Sequence, residues 1–409
     1  MKILYADVNV KYMNPTPNLM PALMQTINED ATFYGPGFVS QDEIDIGIQK
    51  WCELTGPYDA IIVGSWTPIL VDSYEVAVDN SLNFLNKYVV RSFQLDTAKT
   101  FIQDIQQNLN KLDVPLKIYC GLAYDYYATS QAQIDKIEAL GLSLIAPNHQ
   151  FSQRLEDLPE FIKQEPYYQK KAKRLSNSWQ DFVSQQPERI ITATHFVSPD
   201  EFSFNALAVR NNLISVPGVG YHLRKEAIKN LRTKGYYNIS SASFSSVYKL
   251  ANRLGLRVYG RSIPLKLFNF LFFRVLSNTK FIYTARGAFG TPVRKFFEIP
   301  AAGALLLCTP CLGYDELGFN NNEHYIETAP GGLVDVLDKL SSEFKTTQRI
   351  ATAGRKLVDS KHSINARANQ IRACLNEMVD GNYLGSYWDK GRFVMKKQDK
   401  SGAASEMEV

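Results

Sequence analysis

The stretch Phe289-Gly-Thr-Pro-Val-Arg-Lys-Phe-Phe-Glu-Ile-Pro-Ala-Ala-Gly-Ala-Leu-Leu-Leu307 decides how this chain is read. A glycine-containing loop leads into a helix start. A carboxylate follows along the helix, and a small-residue corner feeds an apolar strand. Thr291 reads as an N-cap, with Pro292 at the first helical position, where its missing N–H costs nothing. The unpaired N–H groups of such a start attract phosphate. Arg294 adds positive charge one turn in, and Glu298 is placed to accept hydrogen bonds from sugar hydroxyls. Phosphate at one end and hydroxyls at the other is the pattern of a nucleoside diphosphate site. The same spacing also fits an ordinary helix-to-strand corner of a Rossmann-like domain.

Outward from this stretch, short apolar runs alternate with helical patterns. Ile3–Ala6, Ala60–Val63, Leu116–Cys120, Leu142–Ala146 and Ile190–Ala193 read as strands. Thr97–Leu112 and Gln131–Leu140 read as helices between them. This alternation predicts a parallel sheet with crossover helices, and Ala-Ile-Ile-Val is apolar enough to be covered on both faces. The pattern then restarts. Leu213–Val216 reads as a new first strand, Pro217-Gly-Val-Gly-Tyr221 as a turn, and His222–Lys234 as a helix ended by Gly235. Leu256–Tyr259, Phe281–Tyr283 and Ala304–Leu307 follow as strands, and Asn365–Met378 as a terminal helix. The expected division is 1–195, a linker over 196–212, and a second domain over 213–380. The polar stretch 396–409 is expected to be disordered.

Length and composition agree with two soluble α/β domains. The chain has 409 residues, 45% hydrophobic and 21% charged, with a net charge of +4. That charge is too weak to argue for nucleic acid. The run Lys170, Lys171, Lys173, Arg174 reads as a solvated helix face. Five scattered cysteines give no disulfide framework, which points to a reducing, cytoplasmic setting. Cys308 and Cys311 form one CxxC without a second pair, a poor zinc site. The amino terminus has too short an apolar run for a signal peptide. Pro264–Leu276 is interrupted by Lys266, Asn269 and Arg274. It reads as a buried helix, with peripheral membrane contact through its leucines and phenylalanines as the alternative.

Four segments in order then resemble a known family. They are Thr194-His-Phe-Val-Ser-Pro-Asp-Glu-Phe202, Ile214-Ser-Val-Pro-Gly-Val-Gly-Tyr-His-Leu-Arg224, Arg294–Leu307, and Asp315-Glu-Leu-Gly-Phe319 with His324-Tyr-Ile326. Ala353-Gly-Arg355 fits as well. Residues 190–370 resemble the nucleotide-sugar-binding domain of GT-B glycosyltransferases of the group 1 type, closest to the spore-coat-maturation-like subgroup. The first half matches in outline only. The resemblance implies two Rossmann-like domains with parallel sheets facing a cleft and a C-terminal helix. It implies an enzyme that moves a sugar from a nucleotide-sugar donor, bound by the second domain, to an unidentified acceptor on the first. Many group 1 members carry two glutamates, one on a loop and one on the helix. Here Glu298 is the second, and Gly290 stands eight residues before it where the first would be. A nucleotide-sugar epimerase, or a GT-B relative that binds without catalysis, shares the same plan.

Glycosyl transfer requires stabilising a departing diphosphate. The chain contains no Asp-x-Asp to hold a metal for that purpose. A metal-free site without a further cofactor relies on helix dipoles, backbone N–H groups and fixed cations. Gly218 and Gly220 would let the backbone approach phosphate. Arg224 and Arg294 would supply charge-assisted hydrogen bonds, Thr291 the helix cap, and Glu298 the ribose contacts. On the acceptor side, Asp125 and His149 follow successive strands, where ligands gather in open α/β sheets; Asp125 is placed to act as base, and His149 to orient substrate or act as base. His195 lies at the linker as a hinge, cleft-wall or binding residue. The loop Asn14-Pro-Thr-Pro-Asn18 follows the first strand, with prolines in place of the flexible glycines such loops carry.

Overall fold

The computed structural model describes the chain except residues 14–15, 71–81, 83–88, 92, 121–125, 203–205, 219–221, 237–261 and 400. The expected strand Leu256–Tyr259, and part of the loop Asn14–Asn18, lie outside the described residues.

The first half is built on a parallel sheet of six strands: β1 (Ile3–Ala6), β2 (Thr32–Tyr34), β3 (Ala60–Val63), β4 (Leu116–Tyr119), β5 (Ser143–Pro147) and β6 (Ile190–Ala193). Their order is β2-β1-β3-β4-β5-β6. Strands β1 and β3 are completely buried, because helices cover both faces. These include α1 (Met20–Ile27), α2 (Leu95–Asn108) and α3 (Gln131–Ala139). The sheet reverses direction of growth at β1, between β2 and β3, so its switch point lies at the carboxyl end of β1.

Among the described residues the second half carries four parallel strands in chain order: β7 (Asn212–Ser215), β8 (Thr279–Thr284), β9 (Leu305–Cys308) and β10 (Ile326–Glu327). Around them lie α4 (His222–Thr233), α5 (Ser262–Asn278), α6 (Lys295–Ala301) and α7 (Phe344–His362). After α4, Gly235 takes the left-handed conformation expected of a helix stop. The molecule is therefore α/β with two parallel sheets.

The chain passes between the halves twice, and the two crossings are bonded to each other. Val197, after β6, donates its N–H to the His362 carbonyl (3.1 Å) and accepts from the N–H of Ile364 (2.9 Å). Helix α8 (Ile364–Val379) then packs on α1 of the first half, where Arg372 donates to the carbonyls of Ile27 and Thr26. The carboxyl ends of the two sheets face one another. Asn148, just past β5, reaches the Pro292 carbonyl (3.4 Å), and Arg286, past β8, pairs with Glu165 (2.9 Å).

The expectation of a disordered stretch over 396–409 is corrected. Strands β11 (Tyr383–Asp389), β12 (Arg392–Gln398) and β13 (Ala404–Glu408) form an antiparallel sheet. It is stitched to β6 by Ser386, whose Oγ accepts from the Thr192 N–H (2.9 Å), and by Tyr383, whose hydroxyl donates to the Ile190 carbonyl (2.7 Å). Trp388 is buried, bracketed by both ends of the Gln150 amide. The polar composition misleads because β13 is held by its backbone pairing with β12, whose Phe393, Val394 and Met395 are buried.

Candidate functional site

The deciding stretch folds differently from its sequence reading. Its loop turns on itself: the Gly287 N–H bonds the Thr291 carbonyl (2.8 Å) and the Gly290 N–H bonds the Gly287 carbonyl (3.0 Å). Thr291 is therefore no N-cap and Pro292 is not at a helix start. Helix α6 begins at Lys295, with Arg294 as its capping residue and no side-chain cap. Gly290 takes φ +83°, and a Cβ there would lie 2.4 Å from Ile162 Cδ1 of the first half. Phe289 is buried in a small core with Tyr127, Leu158 and Ile162. The loop expected to cradle phosphate is instead a wedge between the halves, and Gly290 is part of it.

Helix α6 is anchored by its own aromatic residues. Phe296, Phe297 and Ile299 are fully buried. The sequence predicts a kink or stop near Ile299, because Pro300 cannot donate to the Phe296 carbonyl. The helix ends at Ala301, with Pro300 inside it, and the Tyr314 hydroxyl donates to that carbonyl instead, at 2.9 Å.

Three charges meet at the start of this helix. The Arg294 Nη2 contacts both oxygens of Glu201 at 2.6 Å, and its Nη1 pairs with Glu298 Oε1 one turn on. Glu201 belongs to the linker and Glu298 to α6; they are 3% and 4% exposed. Burial pushes the Glu201 carboxyl above its ordinary value, Arg294 pulls it down, and Glu298 pushes it up. The expectation that Arg294 projects into solvent toward phosphate is therefore corrected: its guanidinium is engaged by two carboxylates.

A different pair of cations converges nearby. Gly218 follows β7 with φ +96°, and a Cβ there would lie 2.7 Å from Lys295 Cε, 3.2 Å from Lys295 Nζ and 3.3 Å from Arg224 Nη1. Only glycine leaves room for both side chains at this turn. Arg224 is buried and donates to Thr284 Oγ1 at the end of β8 (2.7 Å). Among the described residues the Lys295 ammonium has no hydrogen bond or ion pair; it lies 5.3 Å from the centre of the Phe272 ring. Desolvation, more than the neighbouring Arg224 and Arg294, lowers its pKa, against the pull of Glu298. Glu298 Oε2 is buried and makes no hydrogen bond among the described residues. Two cations beside a glycine turn, with a carboxylate oxygen one turn along the same helix, can hold a dianion and a hydroxyl donor together.

The structure thus brings Gly218, Arg224 and Glu298 together, and adds Lys295, which the sequence reading passed over. Its signal was the pair Arg294-Lys295: a helix starting at Lys295 rather than near Thr291 exchanges their roles. Gly220 and Asp125 lie outside the described residues. His149 is corrected as a catalytic candidate. Its ring is buried against Trp179, Nε2 meets Thr192 Oγ1 at 2.6 Å, and burial lowers its pKa to about 3. It is a neutral packing group at the β5–β6 edge. His195 stands closer to the site, 5.7 Å from the Phe297 ring centre. It is held neutral, with a pKa of about 3, by desolvation and then by Arg294, Arg367 and Lys295. Among the described residues no group of three or more His, Cys, Asp or Glu side chains is arranged to hold a metal ion.

Residues 250–373 match the family described as glycosyl transferase-like, a stretch that includes α6, Lys295 and Glu298. Among solved structures the chain is similar to HepE from Anabaena in complex with UDP-glucose, at 13% identity and TM-score 0.47, covering 92% of this chain and 99% of that one. It is similar to the sucrose-phosphate synthase of Thermosynechococcus elongatus at 10% identity and TM-score 0.47, covering 93% and 100%. It is also similar to WaaG, described as a glycosyltransferase involved in lipopolysaccharide biosynthesis, at 13% identity and TM-score 0.39, covering 93% and 100%. No curated protein matches the chain.

Proposed function

We propose that this protein is a GT-B glycosyltransferase that moves a sugar from a nucleotide-sugar donor to an acceptor, without a metal ion. The observation that carries the reading is the meeting of Lys295 and Arg224 at Gly218, with the buried Glu298 Oε2 on the same helix. In this reading the two cations take the diphosphate and oppose its growing charge as the glycosidic bond to it breaks. Glu298 accepts from the ribose hydroxyls. Arg294 does not touch the donor; it fixes the Glu298 carboxylate between helix and linker. The match over residues 250–373 and the four-segment likeness to the spore-coat-maturation-like subgroup support this assignment. The donor belongs to the half after residue 212 and the acceptor to the half before 196, where Asp125 is assigned as the base that takes the acceptor's proton. Free cysteines throughout fit a reducing, cytoplasmic setting.

The test is a thermal-shift titration of the whole chain with uridine, guanosine and adenosine diphosphates and their sugars. A specific donor raises the melting temperature with concentration, since it binds only the folded state. NMR of the donor alone should then show slow release of free sugar and nucleoside diphosphate, unaffected by EDTA. A changed sugar still joined to its nucleotide would make the protein an epimerase. Binding without either product, with a broad set of acceptors present, would make it a binding protein. Loss of turnover in EDTA, restored by manganese, would overturn the metal-free mechanism.

A further inference from the structure

From Ala227 to Phe297 the sequence holds thirteen Lys or Arg residues and not one Asp or Glu. The chain as a whole has 45 basic and 41 acidic residues, so outside this segment 32 basic residues face 41 acidic ones. A modest total charge thus conceals a strongly cationic stretch in an otherwise acidic protein. Helix α5 lies within it and is itself free of acidic residues.

The described face of α5 is amphipathic in an unusual sense. Leu267 is 55% exposed and Phe270 is 61% exposed, among the most exposed large apolar side chains of the molecule. At helical spacing, 267, 270 and 274 share one side, with 266 beside them. Lys266 and Arg274 are exposed too, and among the described residues neither makes an ion pair. The opposite side holds Leu276, buried in the core, and Phe272, packed under the Lys295 ammonium. The helix therefore presents two large apolar side chains to solvent between two cations. No helix among the described residues is long and apolar enough to cross a membrane.

We infer that α5 is an interfacial helix that seats the protein on an anionic lipid surface. Leu267 and Phe270 enter the acyl boundary, while Lys266 and Arg274 meet lipid phosphates. Charge complementarity selects this occupant. An apolar pair alone would suit many partners, but a helix without acidic residues, whose exposed face carries Lys266 and Arg274 beside Leu267 and Phe270, suits a surface that is both apolar and negative. The inference concerns where the protein sits and is independent of which reaction it performs.

The test is co-sedimentation of the full chain with vesicles of phosphatidylcholine alone or with phosphatidylglycerol added, and with heparin as a soluble polyanion. The wild-type protein should sediment with the anionic vesicles only, and salt should release it. The variant Leu267→Ser/Phe270→Ser should weaken vesicle binding about tenfold or more, yet leave heparin binding unchanged. Lys266→Gln and Arg274→Gln should each weaken vesicle binding roughly fivefold. All four positions are exposed, so circular dichroism and melting should match wild type in every variant. Equal binding to uncharged vesicles, or none to anionic ones, overturns the inference. So does full vesicle binding by the Leu267→Ser/Phe270→Ser variant, which would reduce the effect to non-specific charge. Self-association on gel filtration that this variant abolishes, without lipid binding, would assign the face to a second copy of the chain.

Discussion

Arg294 grips both carboxylate oxygens of Glu201 at 2.6 Å, tying the linker to the first turn of the helix that carries Glu298. Glu201 is held in turn by its neighbour: the Ser198 N–H donates to its Oε2 at 2.7 Å, in a capping box around Pro199–Glu201. The bridge is almost closed to water, with the two side chains 21% and 3% exposed. Removing one partner of such a pair strands the other charge, at a cost of about 3–5 kcal/mol. Arg294→Ala, which strands both carboxylates, should lower stability in urea unfolding by that order, and Glu201→Gln, which leaves Arg294 paired with Glu298, should lower it by less. The sequence alone predicts an Arg294→Ala variant that melts normally and loses only phosphate. Unchanged unfolding midpoints would return Arg294 to that solvent-facing role.

Lys295 is the complementary case. Its ammonium makes no ion pair among the described residues, so Lys295→Ala leaves no charge stranded by its loss. It should unfold near wild type but bind nucleoside diphosphate about ten- to a hundredfold more weakly, the worth of one charge-assisted hydrogen bond. Affinity for the bare nucleoside should hardly change. Glu298→Gln should weaken nucleoside and nucleotide alike. Calorimetric titration with uridine and uridine diphosphate, or whichever base the protein selects, separates the two. Equal losses for both ligands in Lys295→Ala would remove it from the phosphate site.

Gly290→Ala tests the wedge between the halves. The substitution brings a methyl group to 2.4 Å from Ile162 Cδ1 at a φ of +83°. Backbone strain and overpacking together should cost about 1–3 kcal/mol. Pairing it with Ile162→Ala relieves the contact but not the strain. The double variant should therefore be less destabilised than the two single losses added together. Strict additivity in thermal or urea unfolding would show that residue 290 does not touch the first half.

The parallel strands were legible because burial on both faces leaves nothing but apolar residues. Ile3–Ala6, Ala60–Val63 and Ile190–Ala193 stand where the sequence reading puts them. Thr32–Tyr34 and Ile326–Glu327 escaped it because two or three residues carry no period. At the site, Gly218, Arg224 and Glu298 were recognisable as residue types near strand and helix ends. That Lys295 rather than Arg294 stands beside the Gly218 turn follows from a shift of helix start. That start is set by tertiary contacts, the wedge of Phe289 and the burial of Phe296 and Phe297, rather than by local capping. His149 misled for a related reason. A position just past a strand looks accessible in sequence, yet Trp179 and the C-terminal sheet, through Ser386 and Thr192, cover it.

Asp7, at the switch point just past β1, offers a test by pH. Its carboxyl is fully buried, with Tyr5 donating to Oδ2 at 2.8 Å and Thr67 to Oδ1 at 3.0 Å. Burial outweighs these hydrogen bonds and raises its pKa from 3.8 to about 7. Between those values the native state holds a proton that the unfolded chain has released. The native state binds more protons, so stability falls as pH rises from about 4 to about 7 and levels off above. A shift of roughly three units bounds the effect at about 4 kcal/mol. The histidines act in the opposite sense. His149, His195 and His362 are held neutral down to about 3, so the unfolded chain takes up protons below about 6.5 and acid destabilises. That slope is common to wild type and to Asp7→Asn and cancels in their difference. Asp7→Asn loses one well-placed acceptor, so it should be the less stable protein near pH 4, by about 1 kcal/mol. It should gain steadily on wild type as pH rises and overtake it by pH 7. Urea unfolding of both proteins at several pH values gives the difference directly. A difference that stays flat from pH 4 to 8 would mean that Asp7 ionises as freely in the folded protein as in the unfolded chain.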